Sequence, residues 1–158
     1  IVGNDTTGLT VIVKDGALVL ADDEFMNADG ATGATITIEE GARIFAEDQG
    51  IDDVEASTIT INGYLQAGGT DNASADGIDA GNGSTVTIGA TGQVIATDNG
   101  IFNNGSGSDF YYVVGTVTGG DDGILTRDNN VVDVSGRVEG ETDDAIDVVG
   151  NSTIYLRS

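Results

Sequence analysis

From Thr10 onward the chain repeats one rhythm of apolar and polar positions. A short run alternates apolar and polar residues, a Gly, Asn or Asp turn follows, and two more such runs complete the unit. In residues 83–105 the apolar pieces are Val86-Thr87-Ile88, Val94-Ile95-Ala96 and Gly100-Ile101-Phe102. Alternation over so few residues, bounded by turn formers, predicts strands and tight turns.

The first unit predicts strands at Thr10–Val13, Leu18–Ala21 and Phe25-Met26. The second predicts Thr35–Ile38, Arg43–Ala46 and Gly50-Ile51. The third predicts Thr58–Ile61, Tyr64–Ala67 and Gly77-Ile78, with an enlarged loop over 68–75. A fifth unit follows if Tyr111 and Val113 face inward, and a sixth if Val132 and Val134 do. Ile154-Tyr155-Leu156 opens a seventh, while residues 1–9 read as the tail of a preceding turn.

The first inward position falls at residues 11, 36, 59, 86, 111, 132 and 154, in steps of 25, 23, 27, 25, 21 and 22. Strands this short cannot form a stable sheet within one unit, so each must bury its apolar side chains against the units on either side. Three strands per unit at this interval predict an all-β fold: a single domain over 1–158, a three-sided parallel β-helix of about six coils. Propeller blades need about 40–45 residues and are excluded. Parallel crossovers are right-handed in nearly all cases, so the coil is expected to be right-handed. Alternation sends Val11/Val13, Ile36/Ile38, Ile59/Ile61, Val86/Ile88 and Val132/Val134 inward, stacked about 4.8 Å apart in aliphatic columns.

Charge narrows the partners. Five Lys and Arg stand against 27 Asp and Glu, a net charge of −22. Nucleic acid and anionic membrane surfaces are excluded, because their binders need basic patches. Such a charge favours solubility and divalent cations. It can also signal disorder, but 39% hydrophobic residues in strict register argue against that. With no Cys or His, the chain has no disulfide, zinc or haem ligand, and no Cys- or His-based catalysis. Absence of Cys is compatible with bacterial export. No apolar run approaches the ~18 residues of a membrane span. There is no signal peptide, and a start at Ile1 reads as a processed or excised piece.

The T-x-T-I strands, the G-x-V turns and the corners DNGI, DDGI, ADGI and DDAI at 98–101, 121–124, 75–78 and 143–146 give the chain a likeness. It resembles the right-handed parallel β-helix repeats of bacterial secreted proteins, found in autotransporter passengers and large acidic adhesins. The resemblance implies an extracellular or cell-surface location and a structural or adhesive role. The same coil also carries polysaccharide lyases and phage spikes, so the fold alone assigns no function.

One corner of every coil is acidic, carrying Asp22/Asp23/Glu24, Glu47/Asp48, Asp76, Asp98, Asp121/Asp122 and Asp143/Asp144. Carboxylates stacked about 4.8 Å apart repel by about 3.5 kcal/mol per pair at an effective dielectric of 20, or about 1 in water. Either they splay into solvent as turn formers or a cation bridges them. On the second reading Asp98, Asp121, Asp122, Asp143 and Asp144 are the calcium ligands.

A second acidic column, Asp52/Asp53, Asp79 and Asp147, has the residue type of a glycosidase or lyase. Such sites also need a cation, and Lys14, Arg43, Arg127, Arg137 and Arg157 are scattered over different coils. No enzyme is expected. Outward Thr35/Thr37, Thr58/Thr60 and Thr85/Thr87 form a ladder like the faces of ice-binding solenoids, interrupted by Ile12, Phe110, Tyr112, Val131 and Asp133. Phe110, Tyr112 and Tyr155 form either a small sugar- or partner-binding patch or a surface packed beneath the 103–108 turn or against another chain.

These features together predict a structural or adhesive extracellular scaffold. It has no polar or helical cap, so it joins flanking coils or associates head to tail. A polysaccharide-binding or polysaccharide-modifying β-helix is the alternative, and an ice-binding solenoid a third reading.

Overall fold

A computed structural model describes every residue except Val2, Asn4, Asp5, Thr70 and Asp71. The expectations for the 1–9 turn and the 68–75 loop fall partly on those five, outside the described residues. Coil one carries β1 (Thr10–Val13), β2 (Leu18–Ala21) and β3 (Met26–Asn27). Coil two carries β4 (Thr35–Ile38), β5 (Arg43–Ala46) and β6 (Ile51–Val54), and coil three β7 (Thr58–Ile61), β8 (Tyr64–Ala67) and β9 (Ile78–Ala80). Coil four has β10 (Thr85–Ile88), β11 (Gln93–Ile95) and β12 (Ile101–Asn103); coil five has β13 (Phe110–Val113), β14 (Thr116–Gly119) and β15 (Ile124–Thr126). Coil six has β16 (Val131–Val134), β17 (Arg137–Gly140) and β18 (Ile146–Val148), and β19 (Thr153–Leu156) opens a further turn.

Every third strand pairs in parallel with the next of its kind, giving three sheets of seven, six and six strands. The chain is therefore a β-solenoid of about six coils. None of its described elements is a helix long and apolar enough to cross a membrane.

The register follows the alternation of the sequence. Val11, Ile36, Ile59, Val86, Tyr111, Val132 and Ile154 stand in one column of sheet one. Val13, Ile38, Ile61, Ile88, Val113, Val134 and Leu156 form the column beside it. Both columns are fully buried in the middle coils.

The strands of sheet three differ from expectation by starting about one residue later and, from coil two on, reaching further. Their second inward position is filled by Val54, Ala80, Asn103 and Thr126. Asn103 and Thr126 carry no hydrophobic signal, but hydrogen bonding makes them interior residues. Asn103 Nδ2 donates to the Ala80 carbonyl at 3.2 Å and to Asp109 Oδ2 at 2.5 Å, and Asn130 Nδ2 donates to Thr126 Oγ1 at 2.8 Å.

Two local features position polar groups. Between Ile51↔Ile78 and Val54↔Ala80 the register slips, so Asp52 and Asp53 of β6 oppose the single Asp79 of β9. This is a β-bulge, with Asp53 at φ 47°. At the corner joining sheet three to sheet one, from coil two on, the backbone N–H of each coil donates to a side chain of the next. Ala34 donates to Ser57 Oγ (3.0 Å), Ser57 to Ser84 Oγ (3.2 Å) and Ser84 to Asp109 Oδ1 (2.6 Å). Asp109 donates to Asn130 Oδ1 (2.8 Å) and Asn130 to Ser152 Oγ (3.3 Å). Buried backbone donors need such partners, and here side chains supply them.

Candidate functional site

The acidic corner lies between sheets two and three, where every chain reversal carries Asp, joined in the middle coils by Asn or Gly. Its carboxylates serve first as backbone acceptors. Asp76 Oδ1 accepts from the Asn99 N–H at 3.0 Å and from Asn99 Nδ2 at 2.8 Å. Asp122 Oδ1 accepts from the Asp144 N–H at 3.0 Å. Each bond ties one coil to the next.

Of the residues expected to hold calcium, Asp122, Asp143 and Asp144 come together, with one oxygen from each within 4.8 Å of the others. Asp98 and Asp121 are close enough to repel one another but stand outside that trio. Asp121 accepts a hydrogen bond from Thr142 Oγ1 at 3.2 Å. Burial, and then the charge of Asp121, pushes the Asp98 carboxyl above its ordinary range. Burial raises Asp122 too, aided by Asp121, Asp143 and Asp147 and opposed by the bond from the Asp144 N–H. A second trio, Asp23, Glu24 and Asp48, gathers in coils one and two. Calcium takes about 6–8 oxygens, so either trio would need backbone carbonyls or water to complete a shell.

The second acidic column is not continuous. Asp79, Phe102, Leu125 and Asp147 succeed one another in register, so two apolar residues separate the last carboxylate from the rest. The bulge instead concentrates charge on Asp79, which is only 7% exposed and whose Oδ1 has no hydrogen-bond partner. Burial, then Asp76, Asp52 and Asp53, push the Asp79 carboxyl up to about 7. Burial and Asp53 raise Asp52 to about 6, and burial raises Asp76 to about 6 against its bonds from Asn99.

Asn104 is the residue that the sequence reading missed. Its Nδ2 lies 3.0 Å from Asp53 Oδ1 and 3.1 Å from Asp79 Oδ2, bridging coils two, three and four. No cationic side chain bonds to these carboxylates among the described residues. Lys14 pairs with Glu39, Arg137 with Glu139 and Arg157 with Asp133. Arg127 lies over the Phe102 ring at 5.3 Å.

Phe110 and Tyr112 remain open, both 40% exposed, with near-parallel rings 6.4 Å apart. The 106–108 segment seats on Asn82 instead, with the Ser106 N–H donating to Asn82 Oδ1 at 2.8 Å. Tyr155 stands two coils beyond Tyr112, and the Arg157 guanidinium lies over its ring at 5.4 Å. A second aromatic group sits on the outer face of sheet two. Arg43 lies 5.3 Å from the centroids of both Phe45 and Tyr64, beside exposed Leu18 and Leu20. Its members come from consecutive coils and are joined only by register, so no local motif marks them.

No family model matches the chain, and no curated protein or solved structure matches it either.

Proposed function

We propose that the chain is a segment of an extracellular rod with a structural or adhesive role, continued at its last coil by further coils or by another copy. The observation that supports this reading is the state of that coil. Ile36, Ile59 and Val86 are fully buried, whereas Leu156, in the column beside theirs, is 75% exposed, and Val138, Ile146 and Ile154 are only partly covered. β17, β18 and β19 each have one neighbour in their sheets and a free edge on the other side. Apolar columns and open strand edges favour stacking.

The charge of −22 opposes casual association, so end-on growth requires salt, divalent cations or a specific partner. Light scattering across salt and calcium concentrations should show growth that Leu156→Asp abolishes. A monomer under every condition would remove self-association from the reading.

Calcium at the Asp122–Asp143–Asp144 corner belongs to the same proposal, relieving repulsion between coils five and six. Millimolar calcium should raise the melting temperature relative to chelator at matched ionic strength, and Asp144→Asn should reduce the rise. An unchanged melting temperature rules out calcium as a structural cofactor.

A polysaccharide-binding rod is the second reading, favoured by the Arg43–Phe45–Tyr64 group, which combines ring faces with hydrogen-bond donors on a strand surface.

A further inference from the structure

The chain contains four Asn-Gly pairs, at 62–63, 82–83, 99–100 and 104–105. In such a pair the glycine nitrogen can attack the asparagine side-chain carbon, provided its N–H is free to lose a proton and to move. Two of the four are held by hydrogen bonds, and a third faces a carboxylate. The Gly63 N–H donates to the Ile38 carbonyl at 3.2 Å, and the Gly100 N–H to the Asp122 carbonyl at 3.0 Å. The Gly83 N–H faces the Asp109 carboxylate and lowers its pKa, although the 2.6 Å hydrogen bond to that carboxylate comes from the Ser84 N–H. The Gly105 N–H has no acceptor among the described residues, and Asn104 beside it is exposed.

The leaving group at Asn104 is also placed for departure. Its Nδ2 sits between the Asp53 and Asp79 carboxyls, at 3.0 and 3.1 Å. Burial and the surrounding Asp76, Asp52 and Asp53 push the Asp79 carboxyl up to about 7, so a protonated fraction is present at neutral pH. A protonated carboxyl in hydrogen-bond reach of a departing nitrogen is a general acid.

We propose that Asn104 is a self-modification site, at which the Gly105 nitrogen displaces the side-chain amide and leaves aspartate or isoaspartate. A base first takes the Gly105 N–H proton. The nitrogen then bonds to Asn104 Cγ, the Cγ–Nδ2 bond breaks, and the amide nitrogen leaves as ammonia with a proton from Asp79. The resulting succinimide takes up water at either carbonyl, and no electrons are gained or lost. The product has no amide donor between Asp53 and Asp79 and adds a third carboxylate beside them. Residues 104–108 lose that anchor to coils two and three. The reaction is a slow, one-way change from a bridged face to a repelling one.

The test is peptide mapping by mass spectrometry on the intact folded chain, incubated in neutral buffer, with isoaspartate detected by enzymatic methylation. Asn104 should lose its amide at least about tenfold faster than Asn62, Asn82 and Asn99, a barrier difference of about 1.4 kcal/mol. In denaturant the four sites should react at similar rates. Asp79→Asn should slow the reaction at Asn104 alone. If that variant fails to fold, its four sites will show the denatured pattern, and the wild-type comparison decides. Faster loss at any of the other three sites, or no preference in the folded chain, overturns the proposal. An unchanged rate at Asn104 in folded Asp79→Asn overturns the role given to Asp79.

Discussion

Ile61→Ala will destabilise the protein by about 2–5 kcal/mol, whereas Thr60→Ala on the same strand will cost less than about 1 kcal/mol. Ile61 is fully buried and stacked between Ile38 and Ile88 in its column. The neighbouring coils are held about 4.8 Å apart by their backbone ladders, so they cannot close on the space left by the removed side chain. Thr60 sits between Thr37 and Thr87 on the outer face, where truncation removes little packing. Both positions belong to β7, so urea unfolding of the two variants compares one coil with itself. Equal losses would mean that the strand faces are exchanged by a one-residue slip.

The second large effect is an inverted dependence on pH. The folded-state values of Asp79, about 7, and of Asp52 and Asp76, about 6, all lie above the ordinary 3.8. Between those limits the folded chain binds more protons than the unfolded one, so stability falls as pH rises. The protein should be most stable below the unfolded value, near pH 4, and should lose stability progressively up to about pH 7. One unit of displacement corresponds to about 1.4 kcal/mol, and the partial exposure of Asp52 weakens its share, so the change is on the order of a few kcal/mol. Glu39 and Asp133 are lowered by Lys14 and Arg157 and act in the opposite sense, but they are solvated and contribute little.

Asp79→Asn should flatten the profile. The variant should exceed the wild type above about pH 7 and match it near pH 4. Melting temperatures of both proteins across that range are the measurement. A wild type that unfolds more readily at pH 5 than at pH 8, as in ordinary acid denaturation, would refute the account.

The strand columns were legible because apolar alternation is local: Thr35–Ile38, Thr58–Ile61 and Thr85–Ile88 each declare their inward faces without help from the rest of the chain. Sheet three was less legible because Asn103 and Thr126 are inside for reasons of hydrogen bonding across coils. The bulge at Asp52 and Asp53 exists only relative to β9, so no window of sequence contains it. The acidic corner was visible as composition, but not which carboxylates converge. Val117 to Ile124 spans seven steps and the matching Val138 to Ile146 spans eight, as their positions show. That extra residue lies where Asp143 and Asp144 meet Asp122.

The side-chain ladder at the third corner gives the rod a direction. In every rung the donor belongs to the earlier coil and the acceptor to the later one, from Ala34 through Ser57, Ser84, Asp109 and Asn130 to Ser152. During synthesis from the N-terminus, each coil would wait for its successor to quiet its exposed donor, so structure would lock in behind the growing tip like the teeth of a ratchet. The same asymmetry discriminates between candidates for the next coil. A coil stacked above Ser152 completes the series only if it offers Ser, Asn or Asp there. In the chain's own first coil that place belongs to Leu9, whose carbonyl receives the Thr35 N–H as the Asn130 carbonyl receives the Thr153 N–H. Leucine has no acceptor to give, just as Ala34 gives none to Leu9, so an identical copy would stack there without this rung.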